Sequence, residues 1–365
     1  RGLDRARVGE LIDAGPLRAA QALEAGLVDV LGYRDEVYSS VRSRAGGGAT
    51  LLYLSRYQRS RALTAKARML PGARHEPVVA VIYATGPIRR GRSGRGPLSG
   101  GAMGSDTIAA AIRAAVADEQ AKAIVLRVNS PGGSYVASDT IWREVVRARA
   151  AGKPVVVSMS DVAASGGYFI AMAADVIVAQ PGTITGSIGV LSGKPVLGEA
   201  LGRAGISSDL VSEGAHAAMF STQRPFSDDE WALVNDWLDH IYDDFTGKVA
   251  QGRSMTRERV HELARGRVWT GADALGNGLV DELGGLDHAT ALARRRAGLP
   301  EKAPLRGYPR VSPLDRLRPP TSSDSRNAAA AAVLAESWGP AWRLAARAGL
   351  SPYGPLALPG SWTFE

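Results

Sequence analysis

Three short segments of this 365-residue chain combine serine with glycine in a way that suits acyl transfer. Their sequences are NSPGG at 129–133, DVAASGGY at 161–168 and TITGSIGV at 183–190. Ser165 stands among small residues, so its hydroxyl could reach a substrate carbonyl as a nucleophile. The backbone N–H groups of Gly132, Gly133 and Gly166 could stabilise the resulting oxyanion, an effect of about 3–4 kcal/mol per donor. Ser187 could hold a catalytic base in position by a hydrogen bond.

Each segment also has a purely structural interpretation. Serine is common at helix N-caps, so Ser165 could serve only to cap the helix that follows it. A tight turn would explain the two glycines at 132–133, and Ser187 could simply satisfy a turn. Taken one at a time, the segments leave both interpretations open.

The three segments follow elements that alternate between strand and helix. Short apolar runs rich in β-branched residues predict strands at 78–84, 123–129, 155–160 and 175–180. Helical spacing predicts helices at 105–118, 135–151 and 163–174, the first of them capped by Ser105 or Asp106. This alternation, with continuous apolar strands, predicts an α/β fold with a parallel sheet. The three segments would then lie at strand ends, where open α/β sheets place their sites.

An internal repeat predicts how the chain is organised. Residues 5–32 and 257–284 agree at fourteen of 28 positions without a gap. We therefore expect residues 1–42 to be the tail of a first repeat unit, and 77–299 to be a complete second unit. Residues 43–76 are predicted to form a linker with a helix, and 300–365 a tail rich in proline and alanine, with one helix at 326–337.

Composition narrows the functional classes. The chain has no cysteine, and its five histidines lack metal-ligand spacing, so we expect neither disulfides nor a metal site. The formal charge of +8 is spread along the chain. We interpret the arginines at 89, 90, 92 and 95, which lie among glycines and prolines, as part of a solvated loop and expect no nucleic-acid partner. No apolar run approaches the roughly 20 residues of a membrane span, and no motif indicates a cofactor.

Together and in this order, SPGG, AASGGY and TGSIG resemble the signal peptide peptidase (protease IV) family of serine proteases. The resemblance covers roughly residues 78–290, and the repeated motif extends it to 1–38. It implies a crotonase-like core of repeated β-β-α units, related to the Clp protease subunit. It further implies that Ser165 is the nucleophile of a Ser–Lys dyad, that Ser187 positions the lysine, and that Gly132, Gly133 and Gly166 belong to the oxyanion region.

The lysine is where this chain departs from the family. A Ser–Lys protease needs a neutral amine, which burial provides by lowering the lysine pKa. In short members of the family the lysine lies 52 residues after the nucleophile, and that position is Ala217 here. In long, duplicated members the first unit supplies the lysine, so the resemblance implies a base from an absent upstream half. Within this chain, Lys194 is an alternative base, and His216 with Asp161 would be an alternative in the form of a triad.

Two functions of other classes compete with the protease. An acyl-CoA isomerase or hydratase of the crotonase superfamily would use the same oxyanion geometry with a Glu or Asp base, but would not need Ser165. A non-catalytic scaffold in a larger assembly would explain the missing lysine.

For the protease, the resemblance implies hydrophobic peptide substrates, such as cleaved signal peptides, cut at or near the membrane. It also implies a tetramer-like ring of identical chains when the protein is full length. Small apolar residues such as Val136, Ala163 and Ile188 would line the cleft.

Overall fold

Runs of valine, isoleucine and alanine form the centre of the fold. The computed structural model describes residues 1–46, 49, 76–96, 100–207, 209–309 and 356–357. The chain divides into two units. The first comprises Arg1–Gly72 and Lys194–Trp237, and the second comprises Ala73–Gly193 and Leu238–Glu365.

The described strands all belong to the second unit. In chain order they are β1 (Val78–Thr85), β2 (Ile88–Arg89), β3 (Gly94–Gly96), β4 (Gly100–Gly104), β5 (Ala121–Ser130), β6 (Gly132–Gly133), β7 (Val155–Ala164), β8 (Val176–Ala179), β9 (Ile184–Gly186), β10 (Val268–Thr270), β11 (Glu282–Leu283), β12 (Leu305–Tyr308) and β13 (Leu356–Ala357). The described helices are α1 (Arg5–Asp13), α2 (Ala19–Glu24), α3 (Arg34–Ala45), α4 (Ser105–Ala117), α5 (Tyr135–Ala150), α6 (Gly166–Phe169), α7 (Gly198–Arg203), α8 (Asp228–Arg253), α9 (Arg257–Leu263), α10 (Gly271–Gly276) and α11 (Leu286–Arg296).

The main sheet has the order β10-β9-β7-β5-β1-β12, with β8 beside β7 and β11 beside β8. Its neighbouring strands are parallel except for β9 and β10. A smaller sheet has the order β13-β6-β2-β4-β3. The prediction of an α/β fold with a parallel sheet is therefore confirmed.

Both faces of the main sheet are covered, which explains its continuous apolar strands. On one face Leu126 and Val157 belong to a large buried cluster that also contains Ile112 of α4 and Ile141 of α5. On the other face Val125 and other strand residues pack with the α11 residues Ala289, Leu292 and Ala293. The sheet is thus a rigid platform for whatever projects from its strand ends.

Three local predictions were wrong. The helix predicted over 105–118 begins at Ser105 as expected, but its cap residue is Gly104 and not Ser105 or Asp106. The predicted helix 163–174 is much shorter: β7 continues to Ala164, paired with β9, and only Gly166–Phe169 is α-helical. The glycines at 132–133, predicted to form a turn, make the short strand β6.

The arginine-rich segment is also more ordered than predicted. Arg89 lies in β2 and Arg95 in β3, so two of its four arginines belong to strands of the smaller sheet. The predicted helix at 326–337 and most of the predicted linker 43–76 lie outside the described residues.

The first unit buries little. Helices α1, α2, α3 and α7 contain no buried residue. Among its described residues only Met219, Val234 and Glu230 are buried. Glu230 accepts two hydrogen bonds from Arg224, at 2.6 and 2.7 Å, and one from the backbone N–H of Ser227 at 2.9 Å. These donors, chiefly the Arg224 side chain, lower the pKa of Glu230 to about 2.

We predict that this ion pair makes the first unit sensitive to acid. Because the folded-state pKa of Glu230 is depressed, its contribution to stability is complete above its ordinary value of 4.5 and is lost as pH falls towards about 2. Glu230→Gln should lower the free energy of unfolding at pH 7 and flatten its pH dependence in that window. Urea unfolding between pH 2 and about 7 would measure both effects. Exposed Glu213→Gln is the control, and a Glu230→Gln curve parallel to that control would contradict the prediction.

Candidate active site

The three serine–glycine segments meet at the carboxyl end of the main sheet. Ser130, at the end of β5, pairs with Ala163 of β7, and Ala164 pairs with Gly186 at the end of β9. Ser165 and Ser187 therefore leave two parallel, adjacent strands at the same level. The backbone N–H of Ser165 donates to the carbonyl of Gly186 at 2.8 Å, which holds the two strand ends together beyond the ladder.

Ser165 has a backbone conformation that serine rarely adopts. It stands between β7 and α6 with φ 53° and ψ −116°. Such conformations cost about 1–3 kcal/mol and persist where the surrounding structure imposes them, commonly at active sites. The residue occupies the N-cap position of α6, but its side chain makes no cap hydrogen bond. A simple capping role therefore does not account for the conformation of Ser165.

Ser187 also has a positive φ, of 49°. Its backbone N–H donates to the carbonyl of Arg267 at 2.7 Å. The preceding Thr185 donates its hydroxyl to the carbonyl of Ala163 at 2.8 Å, inside the β7–β9 pair. Both serines are nearly inaccessible, with 1% of Ser165 and 4% of Ser187 exposed. The structure thus places two strained, buried serines side by side.

The glycine segment lies next to these serines and is tightly packed. Gly133 has φ 153°, and a Cβ there would lie 2.1 Å from the carbonyl oxygen of Ile88. The N–H of Gly132 donates to the hydroxyl of Ser130 at 3.2 Å, and that hydroxyl donates to the carbonyl of Gly86 at 2.8 Å. Gly166 begins α6, so its N–H has no partner within that helix. Of the three predicted oxyanion donors, Gly132 is thus engaged within the protein.

The predicted cleft residues differ in exposure. Val136, near the start of α5, is 56% exposed. Ala163 and Ile188 are fully buried, so they do not line an accessible surface. Both belong to the large buried cluster, which explains their burial.

The alternative bases have other partners. Lys194 lies in the first unit, donates to the carbonyl of Met219 at 2.5 Å and stacks over the ring of Phe226; burial lowers its pKa. Ala217 and His216 also lie in the first unit, and the His216 ring bonds the carbonyl of Asp13 at 2.8 Å. Asp161 lies in the second unit, where it accepts a hydrogen bond from Asn129 at 3.0 Å.

One lysine of the second unit that was not a candidate base from sequence, Lys248, is largely enclosed, with 12% of its side chain exposed. Lys248 of α8 bonds Asp139 at 2.6 Å and Asp244 at 2.7 Å, and lies 4.4 Å from the ring centre of Trp142. Burial alone would lower its pKa, but the two carboxylates raise it overall. Lys248 therefore stays an ammonium ion, which cannot accept a proton from serine. The pair Asp244–Lys248 has ordinary helical spacing, so only the packing distinguishes it from a surface ion pair.

Comparison with known proteins identifies the class of protein. The sequence matches the profile of peptidase family S49 over residues 147–300, and that of Clp protease over residues 102–181. A relative from Synechocystis sp. named as a protease is 37% identical over 219 residues, which cover 59% of this chain and 79% of that relative. The chain therefore belongs to peptidase family S49, the signal peptide peptidase or protease IV family. The Clp-like core implied by the resemblance is also confirmed.

Two longer relatives are similar as well. The chloroplastic serine protease SPPA of Arabidopsis thaliana is 38% identical over 303 residues, 82% of this chain and 44% of that protein. Protease 4 of Salmonella typhi is 45% identical over 221 residues, 60% of this chain and 35% of that protein. The chain thus spans less than half of the length of either relative.

Proposed function

We propose that this chain carries the nucleophile of a serine endopeptidase that degrades hydrophobic peptides, such as cleaved signal peptides. The observation that carries the proposal is the strained Ser165, held at the β7–α6 junction beside Ser187 and the glycine strand β6. A strained turn between strand and helix is a known way to present a nucleophilic serine. In this role the N–H groups of Gly133 and Gly166, and of Gly132 once it leaves Ser130, would stabilise the oxyanion.

A peptide ligand suits the edge of the glycine strand. The strand β13 pairs with β6 in antiparallel register, with Leu356 opposite Gly133 and Ala357 opposite Gly132. The pairing of β13 shows that an extended backbone can bind beside the oxyanion region through main-chain hydrogen bonds, the mode known as β-augmentation, and a peptide substrate would take the place of β13 there. This supports a peptide over an acyl-CoA ester as the substrate class.

The general base in this proposal is a lysine from an upstream half of the protein, and Ser187 would position it. Two observations support this assignment. The matching position in this chain is Ala217, which has no titratable group. The largely enclosed Lys248 of the second unit is held as an ammonium ion by two carboxylates.

The test is hydrolysis of a hydrophobic fluorogenic peptide by this chain and by an extended protein, in which the upstream half of the polypeptide precedes this chain. We expect activity only in the extended protein, and unchanged activity there after Lys194→Ala. Activity in the short chain that disappears with Lys194→Ala would instead assign the base to Lys194. An inert extended protein that folds normally would refute the peptidase proposal.

We further propose that the intact protein acts at a membrane as a ring of identical chains, tetramer-like in form. Among the described helices, none is both long and apolar enough to cross a bilayer. Sedimentation of the extended protein would measure its mass, and co-sedimentation with lipid vesicles would measure its membrane binding. A monomer that does not bind vesicles would contradict both proposals.

A further inference from the structure

The loop between α9 and β10 is bonded to the backbone around Ser187. We call residues 264–267 the supporting loop. Within it, the carbonyl of Arg267 accepts a hydrogen bond from the N–H of Ser187 at 2.7 Å, and the N–H of Gly266 donates to the carbonyl of Ile188 at 2.9 Å. The supporting loop therefore fixes the backbone at Ser187 and at the residue that follows it.

The supporting loop and the end of β9 both have unusual backbone conformations. Arg265 has φ 57° and Gly266 has φ 72°, while Gly186 and Ser187 have φ 75° and 49°. Residues other than glycine adopt such conformations only where the surrounding structure imposes them. Because Arg265 and Ser187 lie in the two segments that bond each other, a further group is needed to hold both segments in place.

The indole of Trp269 is suited to this role. Trp269 of β10 pairs with Thr185 of β9, and its side chain is half-buried against the large buried cluster. A Cβ at Gly186 would lie 2.7 Å from Cδ1 of the indole, so the edge of the ring lies directly against this glycine. The indole N–H donates to the carbonyl of Leu263 at 3.0 Å. Since Leu263 ends α9, the ring is anchored where the supporting loop begins.

Gly186 connects this indole to both serines of the candidate site. Its carbonyl accepts the backbone N–H of Ser165 at 2.8 Å, and Ser187 is the next residue in the chain. A displacement of Gly186 would therefore move both serines. A misplacement of about 1 Å at a reacting group can reduce the rate about 100-fold.

We propose that Trp269 is a positioning residue of the peptidase site. Its indole, anchored to Leu263, fixes Gly186 and thereby sets the positions of Ser165 and Ser187. Trp269 acts through this glycine and not through contact with the peptide. The inference rests on the proposed function, in which Ser165 is the nucleophile and Ser187 positions the base.

Hydrogen exchange in this chain tests the positioning without any need for activity. Trp269→Phe keeps an aromatic ring but removes the donor to the Leu263 carbonyl. We expect exchange of the Ser165 and Ser187 backbone N–H groups to become at least about 10-fold faster in this variant. Both rates are taken relative to that of Val125 in the centre of the main sheet, which removes the effect of a general loss of stability.

Kinetics of the extended protein test the consequence for catalysis. We expect Trp269→Phe to lower kcat at least about 10-fold and to change KM less than about 2-fold. The kcat is expressed per serine titrated by a fluorophosphonate probe, so that unfolded protein does not contribute. Leu292→Ala is the control, because Leu292 packs on the opposite face of the main sheet. Its melting temperature should fall, since it leaves a cavity, while kcat per titrated serine stays unchanged.

A double-mutant cycle tests the contact between the indole and Gly186. Gly186→Ala alone should lower kcat at least about 100-fold, because the added Cβ meets the indole. In the Trp269→Val background, which removes the ring, the same change should cost less than about 10-fold further. Valine suits a strand, so Trp269→Val also replaces Trp269→Phe in the other measurements should that variant fail to fold.

Several results would overturn the inference. Unchanged relative exchange at Ser165 and Ser187 in the Trp269 variant would show that the indole does not hold them. An unchanged kcat per titrated serine would remove Trp269 from catalysis, and additive losses in the cycle would show that it does not act through Gly186. An inert unmodified extended protein would refute the proposed function instead, and the exchange rates would still decide whether Trp269 fixes the two serines.

Discussion

Ser165→Ala should reduce peptide hydrolysis by the extended protein by roughly 10⁴-fold to 10⁶-fold, as removal of a catalytic serine does in other serine proteases. The hydroxyl is the only group lost, and alanine is small enough for the site. The strained backbone of Ser165, with φ 53°, suits alanine no better than serine, so stability should change little. Initial rates with a fluorogenic peptide, together with thermal unfolding, would separate the chemical effect from any structural one.

Ser207→Ala is the matched control, because this serine is exposed in the first unit. Its rate should equal that of the unmodified protein. If Ser165→Ala retains more than about a tenth of the activity while folded, another group is the nucleophile and the dyad is wrong.

Gly133→Ala should strongly reduce activity and destabilise the second unit. A Cβ at this position would lie 2.1 Å from the Ile88 carbonyl oxygen and 2.8 Å from its nitrogen, and both are backbone atoms that cannot move aside. The φ of 153° adds conformational strain for any residue with a side chain. We expect a loss of more than about 2 kcal/mol in the free energy of unfolding and at least about 100-fold in hydrolysis.

Gly182→Ala provides the comparison for this prediction. A Cβ at Gly182 would meet no atom within 4 Å, and its φ is ordinary. Its stability should change by less than about 0.5 kcal/mol. Equal melting temperatures for the two variants would show that β6 can rearrange, and normal hydrolysis by Gly133→Ala would remove the glycine strand from the site.

Much of the central sheet could be predicted from local sequence. The strands at 78–84, 123–129 and 155–160 were found because continuous β-branched runs are typical of strands covered on both faces. Their ends were less predictable. β7 continues through Asp161 to Ala164, since pairing with β9 holds a segment whose alanines also suit a helix.

The residues of the candidate site could be predicted from the sequence, but their backbone conformations and contacts could not. Three segments at strand ends of a parallel sheet must meet at one edge, so Ser165, Ser187 and the glycines could be grouped from sequence. Positive φ at Ser165 and Ser187 could not be predicted, because serine ordinarily avoids that region. The engagement of the Gly132 N–H by Ser130, and the ion cluster around Lys248, also depend on contacts between distant parts of the chain.

The repeat shows most clearly where sequence information ends. By itself, the sequence determined that residues 5–32 and 257–284 share a motif, because caps, turns and apolar spacing are local properties. Only the tertiary structure decided that Val260 is buried and that Val8 is exposed. Burial depends on which surface lies opposite, and two nearly equal local patterns carry no information about their surroundings. The same helices therefore close a core in one place and present an open face in the other.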